Sequence, residues 1–196
     1  MTDWSLAEIR ALATKAARGA GLDWGLAEEA GYAVSWLEAR CAPGTQALAS
    51  WLEAVGEVDK EICPIRIGTA LMDCGEAPEN GYELTVFQPL LLAPFLVPFV
   101  ESGVSYALNW PQAGFTLQKD GLVLGEDSHS GLPTGSVVCS WTRVANAAKT
   151  PDCRTRVPES AAEAVEILTK FAAKTYAPAT EASRISGAGA GLSDND

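Results

Sequence analysis

The amino-acid sequence predicts an α+β fold with N-terminal helices, a mostly antiparallel sheet and a packed C-terminal helix. Three observations carry this expectation. Apolar residues recur at helical spacing through the first third of the chain, behind a helix-start signature at Ser5 and Glu8. After Val58-Asp59-Lys60-Glu61 the texture changes to β-like runs that follow one another without intervening helices, which favours antiparallel or mixed pairing over a doubly wound sheet. Helical spacing returns at Ser160 and holds to about Lys174. At 196 residues the chain suits a single domain, large enough to fold without a metal or disulfide. The expected organisation is one domain over 1–176, made of a helical part (1–57), a sheet part (62–157) and a closing helix (158–176). A glycine-rich polar tail (177–196) follows.

Ser5 and Glu8 form a Ser-x-x-Glu capping box, each side chain satisfying an amide that the helix start leaves free. Leu6, Ile9, Leu12, Ala13 and Ala16 give the first helix its apolar face. Gly19-Ala20-Gly21 ends it after Arg18, because glycine tolerates the left-handed conformation of a helix terminus. Asp23 is placed to cap a second helix that turns Leu26, Ala30, Ala33, Val34 and Leu37 inward. Gly31 inside that helix costs about 1 kcal/mol relative to alanine, and close helix packing is a reason to keep it. A third helix starts at Thr45, faces Leu48, Trp51, Leu52 and Val55 inward, and stops at Gly56.

In the sheet part, Ile62 to Ala70 reads as a β-like run through its alternation Ile65-Arg66-Ile67. Cys74 to Gly81 is a polar loop before a strand over Tyr82–Phe87. Leu84 to Val100 has no charged residue, but Pro89, Pro94 and Pro98 would break a membrane-spanning helix, so buried extended chain is expected there. Its Leu90–Val100 portion is either core or the lining of an apolar pocket. A strand follows at Ser105–Leu108. Asp120-Gly121 is a two-residue hairpin signal that would pair Lys119 with Leu122 and Leu117 with Leu124. Gly135–Val144 is a further strand with Cys139 as core packing. Ser160 and Glu163 form a second capping box for the closing helix, whose inward face is Ala161, Ala164, Val165, Leu168 and Phe171.

A net charge of −11, from 14 basic and 25 acidic residues, repels phosphate backbones and argues against nucleic acid and anionic membranes as partners. The five cysteines are odd in number and lack both a CxxC pair and a recognised zinc spacing. The start MTDWSLAEIR lacks the basic flank and apolar core of a signal peptide. These features lead us to expect a cytosolic chain with reduced thiols, no metal and no cofactor.

Few residues point to chemistry. His129, the only histidine, lies near Glu126 and Asp127 in GEDSHSG and is a candidate general base or single metal ligand, although a solvated turn has the same composition. Arg18, Glu28 and Glu29 have signs that complement the helix dipoles of the first and second helices. The alternative is a cleft-lining network in which Trp24 stacks on Arg18. Gly187-Ala188-Gly189-Ala190-Gly191 has the look of a phosphate loop without its βαβ context; it reads as a flexible tail or as a segment docking through close backbone approach and the charges of Arg184, Asp194 and Asp196. The ligand-binding candidates are therefore Arg18, Trp24, Glu28, Glu29, His129 and Arg184.

At AARGAGLDWGLAEEAG and again at RISGAGAGLSDND the sequence resembles an uncharacterised bacterial domain family with no assigned activity. That resemblance directs attention to Arg18, Trp24, Gly25, Glu28, Glu29 and the terminal tail, and implies no reaction. More weakly, residues 6–55 resemble the opening helices of the malate/L-lactate dehydrogenase family that lacks a Rossmann fold. That family carries a Ser-His-Gly element after its second helix, where this chain reads Gly44-Thr45-Gln46-Ala47-Leu48 without the histidine. The function expected is a non-catalytic cytosolic interaction or oligomerisation module that binds a protein partner or itself. The alternative is a small-molecule-binding protein or enzyme with a pocket near the corner of the first two helices and the tail. A further alternative, implied by the weaker resemblance, is an accessory to a metabolic dehydrogenase.

Overall fold

A computed structural model describes residues 3–54, 56, 60–100, 104–111, 113–119, 121–125, 132–144 and 152–176. In chain order the N-terminal elements are β1 (Trp4–Ser5), α1 (Leu6–Gly19), α2 (Trp24–Ala39), α3 (Gly44–Ala54) and α4 (Pro64–Cys74). Then come β2 (Tyr82–Phe87), α5 (Ala93–Leu96), β3 (Ser105–Trp110), β4 (Ala113–Gln118) and β5 (Gly121–Leu124). The chain closes through β6 (Ser136–Val144), β7 (Arg156–Val157) and α6 (Ala162–Ala173). This is the expected α+β arrangement, and every strand pair is antiparallel. Among the described residues no helix is long and apolar enough to cross a membrane.

The first capping box forms as the sequence requires. The Glu8 amide donates to Ser5 Oγ at 3.2 Å and the Ser5 amide donates to Glu8 Oε2 at 2.7 Å. These bonds hold the Glu8 carboxyl below its usual range. Gly21, with φ of 98°, turns the chain from α1 into α2. Asp23 occupies the N-cap position of α2, yet its side chain makes no capping bond there. Helices α1 and α2 pack at glycine: a Cβ at Gly31 would meet the Thr14 hydroxyl and come within 2.8 Å of the Arg10 carbonyl oxygen. At Gly19 a Cβ would collide with the Phe171 carbonyl group of α6. The small residues of this region therefore serve backbone proximity.

Besides the missing Asp23 cap, four expectations need correction. Residues 62–70 do not form a β-like run; Pro64 opens α4 at its first turn and Gly75, with φ of 70°, closes it. Ile65 and Gly68, three apart, face the core, and Phe95 lies where a side chain on Gly68 would project. The uncharged run is not extended. Pro89, Pro94 and Pro98 each sit in the opening turn of a short helical segment (Pro89–Leu92, α5 and Val97–Phe99), where the missing N–H is not needed. In the β4–β5 hairpin Leu117 faces Leu122 and Phe115 faces Leu124, with Gln118 paired to Gly121. Gly121 has joined the strand, and because the register differs by an even step the leucines keep their face. Finally, Ala161 caps α6 without a side-chain bond, because the turn Glu159–Ala161 precedes it and displaces the expected Ser160–Glu163 box. Val55 and Asp120 lie outside the described residues.

The main sheet has strand order β2-β6-β3-β4-β5. Its registers put Tyr106, Leu108, Phe115, Leu117, Leu122, Cys139 and Trp141 on one face, and Asn109, Thr116, Ser140 and Thr142 on the other. The apolar face joins Ile9, Leu37, Leu48, Leu91 and Phe95 of the helical layer in one buried cluster. Tyr106 stacks on Trp141 across β3 and β6 with ring centroids 4.6 Å apart. A second ladder, β1 with β7, ties the chain start to the approach to α6.

A polar clasp also reaches across the domain. Glu38, at the end of α2, is fully buried. Its Oε1 accepts from the Thr45 amide at 2.8 Å and from Thr45 Oγ1 at 2.7 Å, which caps the start of α3 from the preceding helix. Its Oε2 accepts from Arg154 Nη2. Arg154 Nε donates to the Glu38 carbonyl at 2.7 Å, and the Arg154 amide donates to the Ala39 carbonyl at 2.8 Å.

Two outcomes test this account. Gly19→Ala should lower the melting temperature by several degrees in a thermal scan, since the rigid Phe171 carbonyl cannot step aside and overpacking costs about 1–3 kcal/mol. Arg154→Met should cost about 3 kcal/mol in denaturant unfolding by leaving the Glu38 carboxylate buried and unpaired. The double change Glu38→Gln with Arg154→Met should recover part of that loss.

Candidate functional site

The corner between α1 and α2 is built so that an indole ring stands in solvent. Arg18, in the last turn of α1, curls its guanidinium over the corner and donates from Nη1 to the Leu22 carbonyl at 2.8 Å. Leu22 is itself buried and its amide donates back to the Ala17 carbonyl at 3.2 Å, which makes the anchor rigid. Trp24 opens α2, and the Arg18 guanidinium carbon lies 5.4 Å from its ring centroid. The indole remains 62% exposed. Tyr176, 66% exposed, is the other large ring left in solvent at this corner.

Two adjoining grooves run past this ring, and a third continues from the second. The first, of about 600 Å³, lies between the α1–α2 corner and the end of α6, with Lys15, Arg18, Trp24, Lys174 and Tyr176 around it. The second, of about 620 Å³, follows the outer side of α1 between Ala7 and Lys15 and shares Lys15 and Trp24 with the first. The third, of about 410 Å³, shares Arg10 and Glu28 with the second and ends against Met72, Pro94 and Val97. Arg10, Lys15, Arg18 and Lys174 thus gather around the first two grooves in a chain of net charge −11. Glu28 lines the second groove with Lys15 and Trp24 as well as the third, and Glu29 lines the third beside Tyr32 and Arg10, so basic and acidic side chains share this face.

Of the residues singled out from sequence, Arg18 and Trp24 come together as the alternative, cleft-lining reading has them. Glu28 shares a groove with Trp24, and Glu29 lies one groove further on. The dipole explanation fits Arg18 but not the two glutamates. They lie in the second turn of α2, whose first turn carries no acid, and the dipole's effect fades within one turn. His129 and Arg184 lie outside the described residues, as do Glu126, Asp127 and the 177–196 tail. Arg10, Lys15, Lys174, Met72 and Tyr176 went unrecognised. Arg10, Thr14 and Arg18 recur every four residues, a spacing that puts them on one side of α1 and was legible in the sequence. Lys174 and Tyr176 had no local signal, because only the α1–α6 contact at Gly19 brings them here.

Chemically, the face offers guanidinium and ammonium groups for carboxylates or phosphates, with rings on which an apolar or planar group can rest. Among the described residues no group of three histidine, cysteine, aspartate or glutamate side chains could hold a metal ion.

Comparison with known proteins bears on the same region. A search of curated proteins found no match. A search of solved structures also found none. The comparisons lend no support to the dehydrogenase likeness, and they single out neither quoted motif. Residues 4–80, which take in β1 and α1 through α4, match the model of a family described as a protein of unknown function (DUF3726).

Proposed function

We propose that this chain is an interaction module of the cytosol that docks an acidic segment of a protein partner along the α1–α2 face. The observation that carries the reading is Trp24, held out by Arg18 and shared by two adjoining grooves. Tryptophan, tyrosine and arginine dominate binding energy at protein interfaces, and anchors already fixed in place lose little entropy on association. Lys15, Arg18 and Lys174 would meet carboxylates of the partner, while Glu28 and Glu29 would favour a basic or polar residue of the partner beside them. A second copy of the chain is one possible partner, since its own surface is strongly acidic.

The groove beside Trp24 also has the volume of a small-molecule site. That observation supports the second reading, in which an anionic metabolite with a planar group occupies it.

A photo-crosslinking amino acid at position 11, an exposed alanine lining the groove beside Trp24, expressed in the native host, separates these readings. Val138, exposed on the sheet, is the control position. The expected result is a discrete protein adduct at position 11 only, lost on Trp24→Ala and on Lys15→Glu with Arg18→Glu, and weakened by added salt. An adduct of twice the chain's mass identifies self-association. No adduct, or equal adducts at both positions, overturns the proposal, and a small mass retained in native mass spectrometry then favours the metabolite. Trp24→Ala itself should move the melting temperature by no more than about 2 °C, because the ring is exposed.

A further inference from the structure

We propose that Cys41 and Cys153 form a redox modification site, two thiols that close reversibly into a disulfide when the chain meets a low-molecular-weight disulfide such as glutathione disulfide. The inference is independent of the docking face and of any partner there.

The geometry is local and specific. The end of α2 and the segment leading to β7 run side by side in opposite directions, with the Arg154 amide bonded to the Ala39 carbonyl at 2.8 Å. One step along, Cys41 Sγ donates to the Asp152 carbonyl at 3.5 Å. The Cys41 thiol thus touches the peptide group that leads into Cys153. Cys41 adopts φ of 59°, a left-handed conformation that non-glycine residues seldom take. The Glu38–Arg154 ion pair is adjacent in sequence to both thiols' segments and keeps them in register.

Accessibility selects the same two sulfurs. Cys153 is exposed and Cys41 is partly so. Burial pushes the Cys63 thiol up, and pushes Cys139 up to about 12, so neither is poised to react. Cys74 is exposed at the end of α4, on a different element, and serves as an internal control. Arg40, next to Cys41 in sequence, stacks on the Trp36 ring at 3.8 Å and donates from Nη1 to the Trp36 carbonyl at 3.2 Å, with its charge within electrostatic reach of Cys153.

The chemistry balances with the named oxidant. The Cys153 thiolate attacks one sulfur of glutathione disulfide, forming a mixed disulfide and expelling a glutathione thiolate. The Cys41 thiolate then attacks the Cys153 sulfur, forming the intramolecular bond and expelling the second glutathione. The two thiol protons end on the two glutathiones, and two electrons pass from the protein to the oxidant. A bond between positions 41 and 153 closes a long loop and should raise the melting temperature by on the order of 10 °C.

The test equilibrates the full-length chain with a graded series of reduced and oxidised glutathione at neutral pH. Samples are quenched in acid, alkylated and mapped by peptide mass spectrometry. The expected product has lost two hydrogens, carries a Cys41–Cys153 cross-link, leaves Cys74 free of any cross-link, and melts higher. In Cys41→Ser the reaction should stop at a glutathione adduct on Cys153, and in Cys153→Ser the cross-link should vanish. A persistent glutathione adduct on Cys153 of the unaltered chain overturns the proposal. So does cross-linking through Cys74, a bond that forms only after denaturation, or thiols that stay free across the series.

Discussion

The buried Glu38 carboxylate constrains the arrangement of this domain more than any other single group. A hydrophobic cluster accepts several packings of similar energy, but a desolvated carboxylate is tolerable only where its hydrogen-bond donors converge. Here they come from three places: the amide and hydroxyl of Thr45, which start α3, and the guanidinium of Arg154, which arrives from beyond the sheet. The angle between α2 and α3 and the return of the chain toward α6 are therefore decided at one point. Pairs of this kind add little net stability over an apolar substitute. Their effect is to make alternative packings expensive.

From that return path the rest of the surface follows. Once α6 is brought back, Gly19 lets the α1 backbone approach the Phe171 carbonyl, and Lys174 and Tyr176 arrive beside Arg18 and Trp24. The proposed docking face is assembled from both ends of the chain. Its two halves are joined where α6 packs on α1 at Gly19, at the edge of the first groove, and the buried ion pair acts from outside that face.

Much of the helical layer was legible because its signals are local. The Ser5–Glu8 box, the glycine exit from α1 and the apolar periods of α1 to α3 each lie within one or two turns. The stack of Arg18 on Trp24 was legible for the same reason, being only six positions apart. The errors lie where one residue type has two uses. Proline was read as a breaker of regular structure, yet at the first turn of a helix it costs nothing, and both α4 and the 89–99 run begin that way. Ile65-Arg66-Ile67 was too short an alternation to outweigh Pro64 and Gly75 at the ends of a helix. The Glu38–Arg154 clasp and the α1–α6 contact were invisible, because their partners are separated by more than a hundred residues and neither leaves a periodic trace.

The three prolines of the uncharged run have a further consequence, for the chain before it folds. Leu84 to Val100 is the sort of apolar, charge-free stretch that assembles into cross-β aggregates when an unfolded or nascent chain exposes it. Because Pro89, Pro94 and Pro98 each remove a ladder donor, no six-residue window after Gln88 is free of an interruption. The residues that start short helical turns in the native domain thereby deny the same segment to intermolecular sheets. The domain can bury a strongly hydrophobic strip at its centre without carrying an amyloid-competent strand through synthesis.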